Sequence, residues 1–286
     1  MPRIIKYKID DEFDGKKVIH YLRGRAKLSA RLVNSLKRVP MGITLNGEHI
    51  RTIDKLKSGD ELVVSIPDEK TELEKVNGEL QILYEDEDLL IINKSPFMAM
   101  HPTHNHQGDT LANLVAAYLD GTAVFRAIGR LDKGTSGAVI CAKNSHSANL
   151  LSGNVKKEYI ALVSKPMAPS GTIDAPIYRP DPMKTLRACG ENGDKAVTHW
   201  ELIKSNGEIS LVRLKLETGR THQIRVHFAH IGAPLLGDTM YGHEYKGIKH
   251  QLLHCEKLEF DHPITKERIY IKAPVFEDMR QIIDEL

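Results

Sequence analysis

Apolar residues recur mostly in short alternating runs broken by Gly, Pro, Asn and Asp, a pattern that predicts many strands and few long helices. Near the N-terminus, Lys17 to Leu22 reads as a helical piece, and Ser29 as the N-cap of a second helix reaching about Lys37. Ile43 to Leu45 reads as a strand entering an Asn46-Gly47 turn, and Asp60 to Ile66 alternates after a Ser58-Gly59 turn. Pro67 to Gly78 is charged and poor in apolar residues, which predicts a linker. Strands are predicted next at Leu80 to Tyr84, Asp88 to Asn93, Ala138 to Ala142 and Lys157 to Val163. Ala196 to Lys204 and Ile209 to Glu217 predict an antiparallel pair closed by Ser205-Asn-Gly-Glu, and Thr110 to Leu119 and Thr221 to His230 read as helices. There is no strict strand-helix-strand repeat and no Gly-rich nucleotide loop, so the expected fold is α+β with a mixed, largely antiparallel sheet. The expected organisation is a small α/β unit over 1–66, a linker over 67–79 and a large domain over 80–286.

Charge sharpens the reading of the first unit. Residues 1–70 hold 15 Lys and Arg against 10 Asp and Glu, although the whole chain carries only +2. Lys16 to Arg38 contains eight basic residues and no acidic one. Such a cluster favours a polyanion, because each neutralised phosphate releases condensed counterion. No run approaches the roughly 18 apolar residues that cross a bilayer, and the N-terminus lacks an apolar leader, so a cytoplasmic protein with no membrane partner is expected. Cys141, Cys189 and Cys255 are odd in number and far apart, which fits reduced thiols better than disulfides or a zinc ribbon. His101, His104 and His106, and His222, His227 and His230, lack the spacing of a helical zinc site, so no metal or other cofactor is expected.

Within the first unit, the order of the Leu28-Ser29 helix, the Leu45-Asn46-Gly47 turn and the Gly59-Asp60 strand resembles the S-four type of RNA-binding domain. That resemblance implies an RNA-gripping role for Lys27, Arg31, Lys37 and Arg38, although the Arg38-Val-Pro-Met-Gly segment departs from the usual short connection.

Three longer strings carry candidate chemistry. Gly129-Arg-Leu-Asp-Lys-Gly-Thr-Ser-Gly-Ala-Val puts a carboxylate and a guanidinium on a loop before an apolar strand, although Asp132-Lys-Gly is also a good turn in its own right. Leu216-Glu-Thr-Gly-Arg-Thr-His-Gln-Ile-Arg-Val-His adds Arg220 and Arg225, and Lys156-Lys-Glu-Tyr-Ile-Ala-Leu-Val adds Tyr159 within a strand. Together with Asn93-Lys-Ser-Pro, His101-Pro-Thr, Leu236-Gly-Asp-Thr-Met-Tyr-Gly and the segment from Leu253 to Ala273-Pro, these strings resemble the RluA/RluD-type pseudouridine synthases over roughly residues 80 to 280. The family signature is His-Arg-Leu-Asp, two variable residues, Thr, Ser or Asn, Gly; here Gly129 stands where His is usual.

The resemblance implies an isomerase that converts uridine to pseudouridine within structured RNA, without a cofactor. It implies Asp132 as the catalytic carboxylate, Arg220 as the guanidinium holding it ionised, Tyr159 against the uracil and Arg130 in the place of the extruded base. Arg225 is open to a structural or a phosphate-facing role. Large-subunit ribosomal RNA is the expected target and a monomer the expected state. The alternatives are a transfer-RNA target and a non-catalytic RNA-binding assembly factor that retains the fold.

Overall fold

The computed structural model describes residues 2–67, 71–103 and 106–286, so residues 68–70 of the predicted linker and His104 lie outside the described residues. Two sheets with separate cores account for most of the chain. The first has four strands in the order Arg3–Lys8, Glu61–Ile66, Ile43–Leu45 and Glu48–His49. Its alternating residues Leu62, Val64 and Ile66 turn inward onto Val18, Leu22, Leu28 and Leu36. Ser29 caps the Ala30–Leu36 helix, its Oγ accepting from the Leu32 N–H at 3.1 Å. The Arg3–Lys8 strand, absent from the predicted elements, pairs along its whole length with Glu61–Ile66.

The second sheet has ten strands. Its main path runs Ser170–Asp174, Val197–Ser205, Ser210–Leu216, Lys156–Val163, Leu253–Asp261, Ser136–Ala142, Leu89–Lys94 and Ile82–Glu85. The predicted hairpin of Val197–Ser205 and Ser210–Leu216 forms as an antiparallel pair. Leu89–Lys94 and Ser136–Ala142 are buried at every position, which explains their unbroken rather than alternating character. Leu111 and Val115 of the Leu111–Tyr118 helix and Phe228 of the Gln223–His230 helix join the core of this sheet.

Among the described residues, its strand pairings are antiparallel except one. Leu253–Asp261 runs parallel to Ser136–Ala142, with His254 opposite Ser136 and Cys255 opposite Gly137. Gly137 has φ +111°, and a Cβ there would lie 2.4 Å from the Cys255 carbonyl oxygen, so this close approach requires glycine. The pairing fixes the segment just before Ser136 against a strand 118 residues further along the chain.

The two sheets meet through Arg3, whose Nε and Nη2 donate to Asp88 Oδ1 and Oδ2 at 3.0 and 2.8 Å. Asp88 is buried and also accepts from Asn144 Nδ2 at 2.8 Å and Ser147 Oγ at 3.2 Å. Ile264, in the turn after Leu253–Asp261, packs on the N-terminal core.

Candidate active site

Asp132 sits in the loop that enters the buried Ser136–Ala142 strand, where its carbonyl accepts from the Thr135 N–H at 3.0 Å and closes a turn. Its side chain is half-buried and faces Arg225, whose Nη1 donates to Asp132 Oδ2 at 3.2 Å. The rest of that guanidinium is held from behind. Arg225 Nε and Nη2 donate to Asp238 Oδ2 and Oδ1 at 2.7 and 2.8 Å, and its carbon lies 5.0 Å from the centre of the Tyr241 ring. Arg225 and Asp238 are 6% and 1% exposed, so a buried two-point ion pair aims one remaining N–H group at Asp132.

This arrangement corrects one expectation. Arg220 does not hold the carboxylate; its Nε donates to the Lys195 carbonyl at 3.0 Å, and its Nη1 lies 3.5 Å from Asp194 Oδ2. The reason is where the helix begins. Gln223 starts it, and Gln223 Oε1 accepts from the Arg220 N–H at 2.9 Å and the Thr218 hydroxyl at 2.8 Å. Arg220 is thereby fixed in the turn before the helix, while Arg225 lies on the buried face of its first turns. Arg220 still lines the same small cavity as Asp132.

His222 is the third group beside the carboxylate, with Nε2 3.8 Å from Asp132 Oδ2. Its backbone is left-handed at φ +58° and ψ +18°, an unfavourable conformation for a non-glycine residue and one that concentrates at functional sites. The Tyr241 hydroxyl accepts from the Arg187 N–H at 2.9 Å and lies 2.9 Å from His222 Nδ1. Burial lowers the His222 pKa, with Asp132 opposing and Arg225 and Arg187 reinforcing the shift, so the ring is neutral at neutral pH.

The loop is anchored on its other side by residues whose roles the sequence did not disclose. The Lys94 ammonium donates to the carbonyls of Ser95 at 2.8 Å, Met98 at 3.0 Å and Lys133 at 3.1 Å. Gln251 Nε2 donates to Thr135 Oγ1 at 2.9 Å, and His254 Nδ1 lies 2.9 Å from Ser136 Oγ. Burial pushes the Lys94 pKa from 10.5 down to about 7, against the opposing pull of Asp132. Between about pH 7 and 10.5 the unfolded chain holds a proton that the folded chain has shed, so stability rises with pH across that window. The cost of the buried charge is fully present below pH 7. Lys94→Met should remove this slope, worth at most about 1.4 kcal/mol per pH unit. Urea unfolding of both proteins over the window measures it, and an unaltered slope in the variant would assign it elsewhere.

Tyr159 is 8% exposed and stands on the Lys156–Val163 strand opposite Cys255. Burial first, then the Cys255 thiol that shares its hydrogen bond and the charge of Asp132, raise its pKa well above the usual phenol value. Tyr159 is therefore a neutral phenol with an apolar ring, unsuited to act as a base. Asp132, Tyr159, Arg130 and Arg220 line one cavity of about 110 Å³, and Tyr159 and Arg130 also line an adjoining cleft of about 930 Å³. Arg130 is exposed at this junction. Gly129 has φ +82°, and a Cβ there would lie 2.6 Å from the Lys157 ammonium, which donates instead to the Ile128 carbonyl at 2.9 Å.

Lys27, Arg31, Lys37 and Arg38 are all exposed on the N-terminal unit, away from this pocket's lining. Two of the histidines considered for a metal have other partners. His227 lies 2.9 Å from both Thr198 Oγ1 and the Ala175 carbonyl, and His106 Nδ1 lies 2.6 Å from Asp109 Oδ2.

Residues 88–230 match the family model described as RNA pseudouridylate synthase. An RNA pseudouridine synthase of Bacillus subtilis, YjbO, is 40% identical over 91% of this chain and 96% of its own length. Ribosomal large subunit pseudouridine synthase D of Haemophilus influenzae is 36% identical over 91% of this chain and 82% of its own. Among solved structures, human RNA pseudouridylate synthase domain containing 1 superposes with a TM-score of 0.56 at 25% identity, over 72% of this chain and 94% of that one. With the mixed, mostly antiparallel sheet and the signature string both in place, the chain belongs to the RNA pseudouridylate synthases, a family of isomerases.

Proposed function

We propose that this enzyme isomerises uridine in large-subunit ribosomal RNA, with Asp132 as its catalytic carboxylate. The observation that carries the reading is the Asp132 side chain, half-buried beside Tyr159 in a small cavity and contacted by a guanidinium that a buried partner holds in place. Relatives named as large-subunit synthases, at 36% identity over most of the chain, support the substrate class.

The reaction breaks the bond between ribose C1′ and uracil N1, turns the base and joins C1′ to C5. The hydrogen on C5 leaves as a proton and N1 gains one, so the atoms balance without an external reagent. A uridine in a helix must first be extruded, at a cost of a few kcal/mol of lost stacking. Arg130, exposed where the cleft meets the cavity, suits the vacated place in the stack. Asp132 acts at the sugar as a carboxylate, oriented by the Arg225 N–H group that donates to it at 3.2 Å. The Tyr159 ring packs against the uracil. Two groups near the base can accept the C5 proton, Asp132 and His222.

Residues 1–66 act as a second RNA grip through Lys27, Arg31, Lys37 and Arg38, and 80–286 carry the chemistry. Exposed lysines and arginines on a separately cored unit support that division.

Pseudouridine mapping tests the target. In ribosomal and transfer RNA from cells lacking this protein, at least one large-subunit pseudouridine should disappear and return on complementation. Loss confined to transfer RNA would overturn the ribosomal target, and no loss in either RNA would overturn the catalytic reading.

A further inference from the structure

Arg220 is left without the role its motif implied, and its surroundings supply another. It lines a second cavity, of about 460 Å³, together with Arg179, Arg187, Tyr178, Asn192 and Asp194. This cavity shares Gly219 and Arg220 with the one containing Asp132, so the two adjoin. Three guanidinium groups face one carboxylate among its lining side chains, which leaves it positive.

Each guanidinium is fixed by a backbone carbonyl, and among the described residues Arg220 alone of the three also meets a carboxylate, Asp194, at 3.5 Å. Arg179 Nε donates to the Lys184 carbonyl at 2.7 Å, and Arg187 Nη1 donates to the carbonyls of Thr185 and Leu186 at 2.6 and 3.0 Å. Arg220 Nε is bound by Lys195, as described above. Among the described residues, both terminal nitrogens of Arg179 and one each of Arg187 and Arg220 keep N–H groups without a protein acceptor. Oriented, charged and unspent donors of this kind suit the tetrahedral oxygens of a phosphate.

The scaffold is built, not frayed. Ile177–Tyr178 pairs with Ala188–Cys189, and Ile177 exchanges backbone hydrogen bonds with Asp194 at 2.9 and 2.8 Å. A Cβ on Gly193 would lie 2.5 Å from the Ile177 backbone. The Arg187 N–H reaches the Tyr241 hydroxyl, so this ribbon is tied to the same tyrosine that stacks on Arg225 and bonds His222.

We propose that the Arg179, Arg187 and Arg220 cavity is a phosphate subsite that holds the RNA phosphodiester flanking the extruded uridine. The proposal rests on the RNA-isomerase reading. It assigns Arg220 to gripping the strand next to the reacting nucleotide, and the ribbon from Ile177 to Asp194 to presenting that grip.

The test uses the full chain and an unmodified in vitro transcript of large-subunit ribosomal RNA. Affinity is measured against KCl concentration for the wild type, the Arg179→Gln/Arg220→Gln protein and the Arg179→Lys/Arg220→Lys protein. Loss of one phosphate contact should make the plot of log affinity against log salt shallower by about 0.7 to 0.9 in the glutamine protein. The lysine protein should keep the wild-type slope, because the charge remains. An unchanged slope in the glutamine protein overturns the subsite, and so does an equal loss in the lysine protein, which would mark a structural role. Pseudouridine formed by the wild type on the same transcript is scored separately. Its absence would count against the isomerase reading on that RNA, while the slopes would still decide whether the cavity holds phosphate.

Discussion

Asp132→Asn should lower turnover by three orders of magnitude or more, equivalent to roughly 4 kcal/mol of lost transition-state stabilisation, while RNA affinity stays within a few fold. Asparagine fits the same space and still accepts from Arg225, so the loop keeps its shape and only the ionisable carboxylate is lost. Binding depends chiefly on phosphate contacts, to which Asp132 contributes none. Single-turnover assays with excess enzyme separate the two quantities. Full activity in the variant would remove Asp132 from the chemistry, and a parallel collapse of binding and folding would make it structural.

The largest effect on stability is expected at Arg225. Arg225→Met leaves the Asp238 carboxylate at 1% exposure without its ion-pair partner, a change that costs about 3 to 5 kcal/mol. Activity should fall as well, because Asp132 loses its guanidinium. Arg225→Met/Asp238→Asn separates the two losses. The second change removes the stranded charge but leaves acceptors for the N–H groups of Met240 and Tyr241, which lie 3.1 and 3.3 Å from Asp238 Oδ1. Most of the stability should return while turnover stays low. If the single variant unfolds at the wild-type urea midpoint, the buried pair contributes little and this account of the site's rigidity is wrong.

Much of the sheet was legible because its strands announce themselves locally. The hairpin of Val197–Ser205 and Ser210–Leu216 needs only alternation and an Asn-Gly turn. Arg3–Lys8 was not among the predicted elements, because its strand character comes from pairing with Glu61–Ile66 far along the chain. The ribbon at Ile177–Tyr178 and Ala188–Cys189 consists of two-residue strands too short to show a period. At the site, the motif strings located Asp132, Arg130 and Tyr159 in one lining. They assigned the guanidinium beside Asp132 to Arg220, where the structure has Arg225. A helix read from Thr221 misses the left-handed break at His222, which takes Arg220 out of the helical register that carries Arg225. Lys94 and Asp238 were hidden for a related reason: each matters through a partner at least 13 residues away, and spacing along the chain carries no trace of such contacts.

The parallel pairing of Leu253–Asp261 with Ser136–Ala142 sets an order on biosynthesis. A chain still emerging from the ribosome holds Asp132 long before it has made Gln251 and His254, which steady the residues following it. Long-range closure of this kind is slow compared with local hairpin formation. The half-made chain thus carries Asp132 on an unsupported loop, and on the proposed reading competence to act on RNA arrives late, when the Leu253–Asp261 strand slides in.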